Sequence, residues 1–403
     1  MEREKLFDTL YFGYPLRTAG PPFDLQPQQQ TDAPDLKRLK NICLEAASRL
    51  LGTDTEVVLP LSGGLDSRFI LGCIRELLPA NRIFAFNYGT AGQLDYDIPP
   101  VIASHCGIRL IQVPYENIAI SIDDVWQHHY SLDSTPAHNL IGFIVTRTAS
   151  TTALELLGFD NTVPVWSGFL GDRVFAGKWS GEQTSLKDAC QRFAAAYSVN
   201  KTPALSLPNY DPVFRLAAVL KNQKSSGGWN WLEYLELAQR QYRVRASLQT
   251  LDNPYAFLFE QPEVISAIYS VPEKYRKGGD LQRMCLHRFF PDLCRLPVTS
   301  RFGYPLGKNA MTEKFDRLVR LSSARIDRLL GTRFEKFKRR KMTVPLLKQL
   351  IGGYGDVMDK GLIHTISMLN KWDVIITEEQ LSQLTANRSR CEQFASLGYL
   401  AGA

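Results

Sequence analysis

The chain has no apolar run approaching the roughly eighteen residues that a membrane span needs. Its opening residues, Met-Glu-Arg-Glu-Lys, lack the apolar stretch of a secretory leader. Both absences lead to the expectation of a cytoplasmic protein without a membrane partner. Cysteine is scarce: seven residues (Cys43, Cys73, Cys106, Cys190, Cys285, Cys294 and Cys391), odd in number, scattered, with no pair at C-x-x-C spacing. A disulfide framework and a zinc site are therefore not expected, and the thiols read as reduced and mostly buried. The six histidines supply no ligand set either, because His128 and His129 are adjacent and cannot both face one helical site. There is no internal repeat and no long low-complexity tract.

What is present suits a globular protein. Of 403 residues, 44% are hydrophobic and 22% charged, which provides ample core for two or three structural units. The net charge is +6, with a basic run from Arg333 to Lys341 (R-F-E-K-F-K-R-R-K). That run reads as a solvated helical face rather than a polyanion-binding patch, since it lacks the aromatic interleaving of a stacking platform. Nucleic acid is not expected as a partner.

Residues 1–35 are poor in regular pattern, with Pro15, Pro21, Pro22 and Pro27 among polar residues, and are expected to be irregular. A helical period follows through Leu36, Leu39, Ile42, Cys43, Ala46 and Leu50. Glu56–Leu61 is a short, nearly all-apolar run, as expected of a strand buried on both faces of a parallel sheet. Further strands are predicted at Arg82–Tyr88, Leu110–Val113 and Thr162–Trp166. Helices are predicted at Phe69–Leu78, Asp97–Cys106, Ile122–Tyr130 and Ile141–Leu157. Strand alternating with helix implies an α/β fold with a doubly wound parallel sheet over residues 36–180. Beyond about residue 180 helical periods dominate. The expected divisions are a helical part over 181–306 and a helical extension over 307–403.

Between the first strand and its helix lies S-G-G-L-D-S, residues 62–67. Gly63 and Gly64 lack Cβ atoms, so the backbone can turn sharply and bring its N–H groups against a phosphate chain. The helix presents its positive end to the same anion, and Ser62 and Ser67 add hydroxyl donors. Asp66 suits a polyphosphate once a divalent cation stands between them, because a carboxylate oxygen holds Mg²⁺ and Mg²⁺ bridges to phosphate. The bland alternative is a glycine-rich turn with an N-capping serine. No G-K-[ST] follows, so the loop is not of the Walker type.

S-G-G-L-D-S resembles the pyrophosphate-binding loop of the ATP pyrophosphatases, whose members split ATP into AMP and pyrophosphate. A second block, residues 167–177 (S-G-F-L-G-D-R-V-F-A-G), is similar to the S-G-E-G-S-D-E-x-F-G-G segment of asparagine synthetases and to the matching segment of β-lactam synthetases. A third stretch, Phe259 to Leu306, resembles the closing part of that family's synthetase domain, through Val271-Pro272, Lys277-Gly278-Gly279, Arg288, Leu296-Pro297 and Gly303-Tyr304-Pro305-Leu306. The likeness thus covers about residues 36–306. It implies that Ser62, Gly63, Gly64 and Ser67 cradle pyrophosphate and that Asp66 and Asp172 hold Mg²⁺. Leu61, Asn87 and Gly168 then line the adenosine site, largely through backbone.

Three features depart from that pattern. The complete relatives begin with a glutaminase domain whose nucleophile is an N-terminal cysteine. Here Glu2 follows Met1 and only about fifty residues precede the loop strand. Phe169 stands where the family carries glutamate or tyrosine, and Arg173 replaces its following acid. Thr299 falls at the position of a lysine that steadies departing pyrophosphate. Arg301, two residues on, is the candidate replacement cation, with Lys308 as another. Glu260 lies near a family acid of the second half-site, or is simply a solvated helix carboxylate.

The resemblance implies an AMP-forming ligase that uses ATP and Mg²⁺ to adenylate a small-molecule or peptide carboxylate for attack by ammonia or an amine. A separate glutaminase subunit or a homo-oligomer is compatible with that. A non-catalytic nucleotide-binding partner of a synthetase is the first alternative, motivated by Phe169, Arg173 and Thr299. A tRNA-modifying enzyme sharing the loop is the second.

Overall fold

The computed structural model describes residues 3–12, 14, 16, 33–53, 55–120, 140–176, 185–198, 207, 209–220, 231–241, 244–245, 251–301, 303–306, 354–371, 374, 376–386, 391 and 394–395. The predicted helix at Ile122–Tyr130, the basic run at 333–341 and Lys308 lie outside these residues.

Five parallel strands form one sheet in the order β3-β2-β1-β4-β5: β1 Val57–Pro60, β2 Ile83–Gly89, β3 Arg109–Pro114, β4 Val165–Ser167 and β5 Tyr255–Phe257. The α/β expectation holds. β1 has β2 on one side, in register from Val57↔Ile83 to Pro60↔Phe86, and β4 on the other through Val58↔Val165. Side chains alternate across the sheet, as a period of two demands. Val57, Leu59, Ile83, Ala85 and Trp166 enter the core on one face, and Val58, Phe86 and Val165 enter it on the other. Every one of them is 2% exposed or less, which explains why these strands read as continuous apolar runs.

In chain order the helices are α1 Arg3–Phe12, α2 Leu36–Leu51, α3 Leu65–Arg75, α4 Leu94–Cys106, α5 Leu140–Leu157, α6 Gly171–Ala176, α7 Leu186–Tyr197, α8 Pro212–Leu220 and α9 Trp231–Leu235. They continue with α10 Pro262–Tyr269, α11 Glu273–Arg276, α12 Asp280–Phe289, α13 Pro291–Cys294, α14 Tyr354–Asn370 and α15 Glu378–Ala386. Asp35 caps α2 by accepting from the Arg38 amide, and Gly52 and Gly107, both at positive φ, end α2 and α4. One face of the sheet carries α2, α3, α4, α10 and α12, while α5 and part of α14 cover the other. The helices α7, α8 and α9 form a satellite core with Phe12, Tyr14 and Leu16.

One expectation is corrected. Residues 3–12 are helical rather than irregular: Phe7 and Leu10 of α1 pack with Leu369, Val374 and Phe394. The buried Asp8 accepts from Tyr210 at 2.9 Å and from Arg215 at 3.3 Å, which fixes α1 to the α8 region. Long-range contacts of this kind leave no local signal. Beyond residue 180 the described residues are mainly helical, as expected, and among them Tyr255–Phe257 supplies the fifth strand of the sheet. Three residues are too few to show a strand period. The thiols are as expected: Cys391 is half-buried, the other six are buried and none is in a disulfide. Burial alone pushes the Cys43 thiol up to about 12, so it stays protonated and unreactive. Among the described residues no helix is long and apolar enough to cross a membrane.

Candidate functional site

The strand order reverses at β1, since β2 and β3 lie to one side of it and β4 and β5 to the other. The carboxyl ends of β1 and β4 lie side by side at this reversal, the usual ligand position in open α/β sheets. Both sequence blocks fall there. β1, the Ser62–Ser67 loop and α3 form a strand–loop–helix unit, and β4 runs through Ser167–Leu170 into α6.

The first loop is shaped by its own hydroxyls. Ser67 Oγ accepts from the Ser62 amide at 3.2 Å and lies 3.1 Å from Ser62 Oγ, which itself accepts from the Gly64 amide at 3.2 Å. Gly63 has a specific reason to lack a side chain, since a Cβ there would lie 2.1 Å from Thr299 Oγ1. Thr299 clasps the loop: its amide donates to Gly63 O at 2.9 Å and its hydroxyl to Asp95 Oδ1 at 2.8 Å. The segment carrying Thr299 is anchored by Arg68, a fully buried residue whose guanidinium donates to Leu293 O at 2.8 Å, to Leu296 O at 3.2 Å and to Pro297 O. Sequence reasoning missed Arg68 and gave Thr299 no positive role. A charged residue inside an apolar helix run was the available signal for Arg68.

The second loop presses directly on the first. A Cβ at Gly168 would come within 2.9 Å of the Asp66 carbonyl carbon and the Ser67 amide, and one at Gly171 within 2.5 Å of Asp66 Oδ1. Between them Leu170 adopts a left-handed conformation, φ 73°, unusual for a bulky residue and costing about 1–3 kcal/mol. That turn lets Leu170 O accept from the Arg173 and Val174 amides and start α6.

Asp66 and Asp172 are thus brought together. The Asp172 amide donates to the Asp66 carboxylate, and Gln282 Nε2 donates to Asp66 Oδ1 at 2.6 Å. Burial, and then the charge of Asp172, raise the Asp66 carboxyl from its ordinary 3.8 to about 7. Two carboxylates that repel one another offer hard oxygen donors, the chemistry Mg²⁺ prefers, and the bare Gly168 and Gly171 leave Asp66 the room that a side chain would fill. The residues fit such an ion. Gln282 was not anticipated from the sequence.

The remaining candidates serve visible structural roles. Leu61 is buried; its amide donates to Phe86 O at 2.8 Å and its carbonyl accepts from Asn87 Nδ2 at 2.9 Å. Asn87 Nδ2 also donates to Asp95 O at 3.0 Å, so this side chain ties the ends of β1 and β2 to α4. Arg301 is buried in the short turn Thr299–Arg301, its amide donating to Val298 O at 3.1 Å. Glu260, just past β5, pairs with Arg245 at 2.8 Å, and burial raises its carboxyl above the ordinary value. Arg245 lies over the Phe257 ring at 4.6 Å, and Phe257 meets the Phe169 ring edge-on at 5.7 Å. Phe169 is therefore part of the wall rather than a proton acceptor.

No protein-family model matches the chain, and no curated protein matches it. Among solved structures it is similar to U34-tRNA thiolase NcsA from Methanococcus maripaludis, described with its [4Fe-4S] cluster. The identity is 16% and the TM-score 0.26, over 58% of this chain and 79% of that one. A likeness of that size carries no argument about activity; the fold assignment rests on the parallel sheet itself.

Proposed function

We propose that this chain is an ATP-dependent, AMP- and pyrophosphate-forming amide ligase of the asparagine-synthetase type. One observation carries the reading: a glycine–serine loop at the carboxyl end of the central strand holds Asp66 beside Asp172 of α6, the helix after the neighbouring strand, where the sheet order reverses. Ser62, Gly63, Gly64 and Ser67 bind the two leaving phosphates, and the carbonyl edge at Leu61, Asn87 and Gly168 borders the nucleoside. Asp66 and Asp172 hold Mg²⁺, which neutralises charge on the phosphates. Arg301 supplies a fixed positive charge as pyrophosphate departs. Glu260 is the carboxylate of the acceptor half and, on parting from Arg245, acts as a base that takes the proton lost by the attacking amine.

Pyrophosphate exchange into labelled ATP, screened across carboxylates, tests the reading. AMP and pyrophosphate are expected, and ADP as product would refute it. Arg301→Ala should lower turnover by about 10²-fold or more with little change in ATP affinity, as when one transition-state charge partner is removed.

The second reading, a nucleotide-binding partner without catalysis, is favoured by the buried Phe169 and by Thr299 serving as a clasp. ATP binding without exchange for any acceptor would select it. A tRNA acceptor, included in the same screen, covers a tRNA-modifying role.

A further inference from the structure

Arg173 follows Asp172 directly, and neighbouring residues on a helix do not ordinarily face one another. Here the arginine nevertheless turns back: its Nε lies 3.2 Å from Asp172 Oδ2 and 3.8 Å from Glu236 Oε1. Glu236 is 3% exposed and does not depend on Arg173 for its charge. Arg240 Nη1 at 2.9 Å, the Gln241 amide at 2.6 Å and the Tyr197 hydroxyl already meet it. Glu236 therefore serves as a tether, steadying a guanidinium that lies closer to Asp172 than to Glu236 itself.

We propose that Arg173 is a charge brake on the metal position: it cancels one of the two aspartate charges, so a bare divalent cation is not retained and the ion enters only with a polyphosphate. The inference rests on the nucleotide reading above. The donor set agrees with it. Among the described residues no group of three or more His, Cys, Asp or Glu stands ready to hold a metal ion, and Gln282 already donates to one Asp66 oxygen. An octahedral cation must then draw most of its oxygens from phosphate and water. Arg173 does not close the position, because the Asp172 side chain remains 59% exposed. It lowers only the electrostatic attraction, which for a divalent ion responds steeply to one nearby unit charge.

Mn²⁺ titrations of the full chain without nucleotide, followed by the electron paramagnetic resonance of the free ion, test this directly. The unsubstituted protein should show no saturable binding below millimolar concentration. Arg173→Gln should bind Mn²⁺ at least about tenfold more tightly, whereas Arg173→Lys, which keeps the charge, should behave like the parent. Arg173→Met keeps the apolar stem and replaces the glutamine variant if melting shows the latter to be unfolded. Tight Mn²⁺ binding by the unsubstituted chain, or equal affinity in all variants, would overturn the proposal. Calorimetry of ATP with and without Mn²⁺ separates the two readings. Absent ATP binding refutes the nucleotide site, metal-independent ATP binding refutes the metal's entry with the polyphosphate, and metal-dependent ATP binding together with unchanged bare-ion affinities refutes only the role of Arg173.

Discussion

Two strand-to-helix turns meet over the middle of the sheet, and they are built in opposite ways. The turn after β1 consists of small residues, and its shape comes from hydroxyls bonding to amides a few positions away. The turn after β4 carries Phe169 and Leu170, both buried, one packed on Phe257 and the other in a left-handed conformation. The first turn presents backbone and hydroxyl groups and takes its outer restraint from Thr299. The second has bulk behind it and presents its glycines to Asp66. The difference separates a surface suited to a phosphate chain from a wall that holds a carboxylate in place.

Substitutions can sharpen this contrast. The largest loss of stability is expected from Phe169→Ala, about 3–5 kcal/mol by chemical denaturation, because losing a buried aromatic side chain leaves a cavity beside Phe257. Gly168→Ala comes next, at about 2–3 kcal/mol. Its Cβ would meet the backbone of Asp66 and Ser67, which cannot swing aside. The matching change in the first turn, Gly64→Ala, should cost under about 1 kcal/mol, since the nearest atom is Ser62 Oγ at 3.2 Å. Its main effect should appear in ATP affinity instead. If both alanines destabilise equally, the proposed division of labour fails.

A smaller and more specific effect concerns pH. Asp66 has an ordinary value of 3.8 and is raised to about 7 in the fold, first by burial and then by Asp172. A carboxyl raised on folding contributes stability that is complete below the unfolded value and lost as pH climbs through the folded one. Ionisation of Asp66 should therefore destabilise the metal-free protein progressively between pH 3.8 and about 7. Asp66→Asn should be less affected by that rise, so the difference between variant and parent melting temperatures should grow toward neutral pH. A constant difference would mean that Asp66 titrates normally. The same variant should lose the metal-dependent part of its ATP affinity in calorimetry.

Much of this was legible locally. The strands β1, β2 and β4 stood out because both of their faces are buried, and a short apolar run bounded by turn residues is the mark of a strand covered on both sides. The S-G-G-L-D-S loop stood out because two glycines, two serines and an aspartate after such a strand satisfy few structural needs by themselves. Other parts were not legible. β5 is three residues long and borrows its identity from β4. Helix α1 is held by Asp8, Tyr210 and Arg215, and the last two lie 202 and 207 positions from the first.

The sequence by itself determined the parallel sheet, the glycine–serine loop and the two aspartates that follow their strands, since each depends on residue types at short spacing. Only the tertiary structure decided what surrounds them. Gln282 reaches Asp66 across 216 positions, and Arg68 reaches Leu293 across 225. Thr299 forces the absence of a side chain at Gly63, and Glu236 holds Arg173 beside Asp172. These are contacts between segments that meet only when the core closes. Their energies depend on burial and approach distance, neither of which a linear string of residues contains.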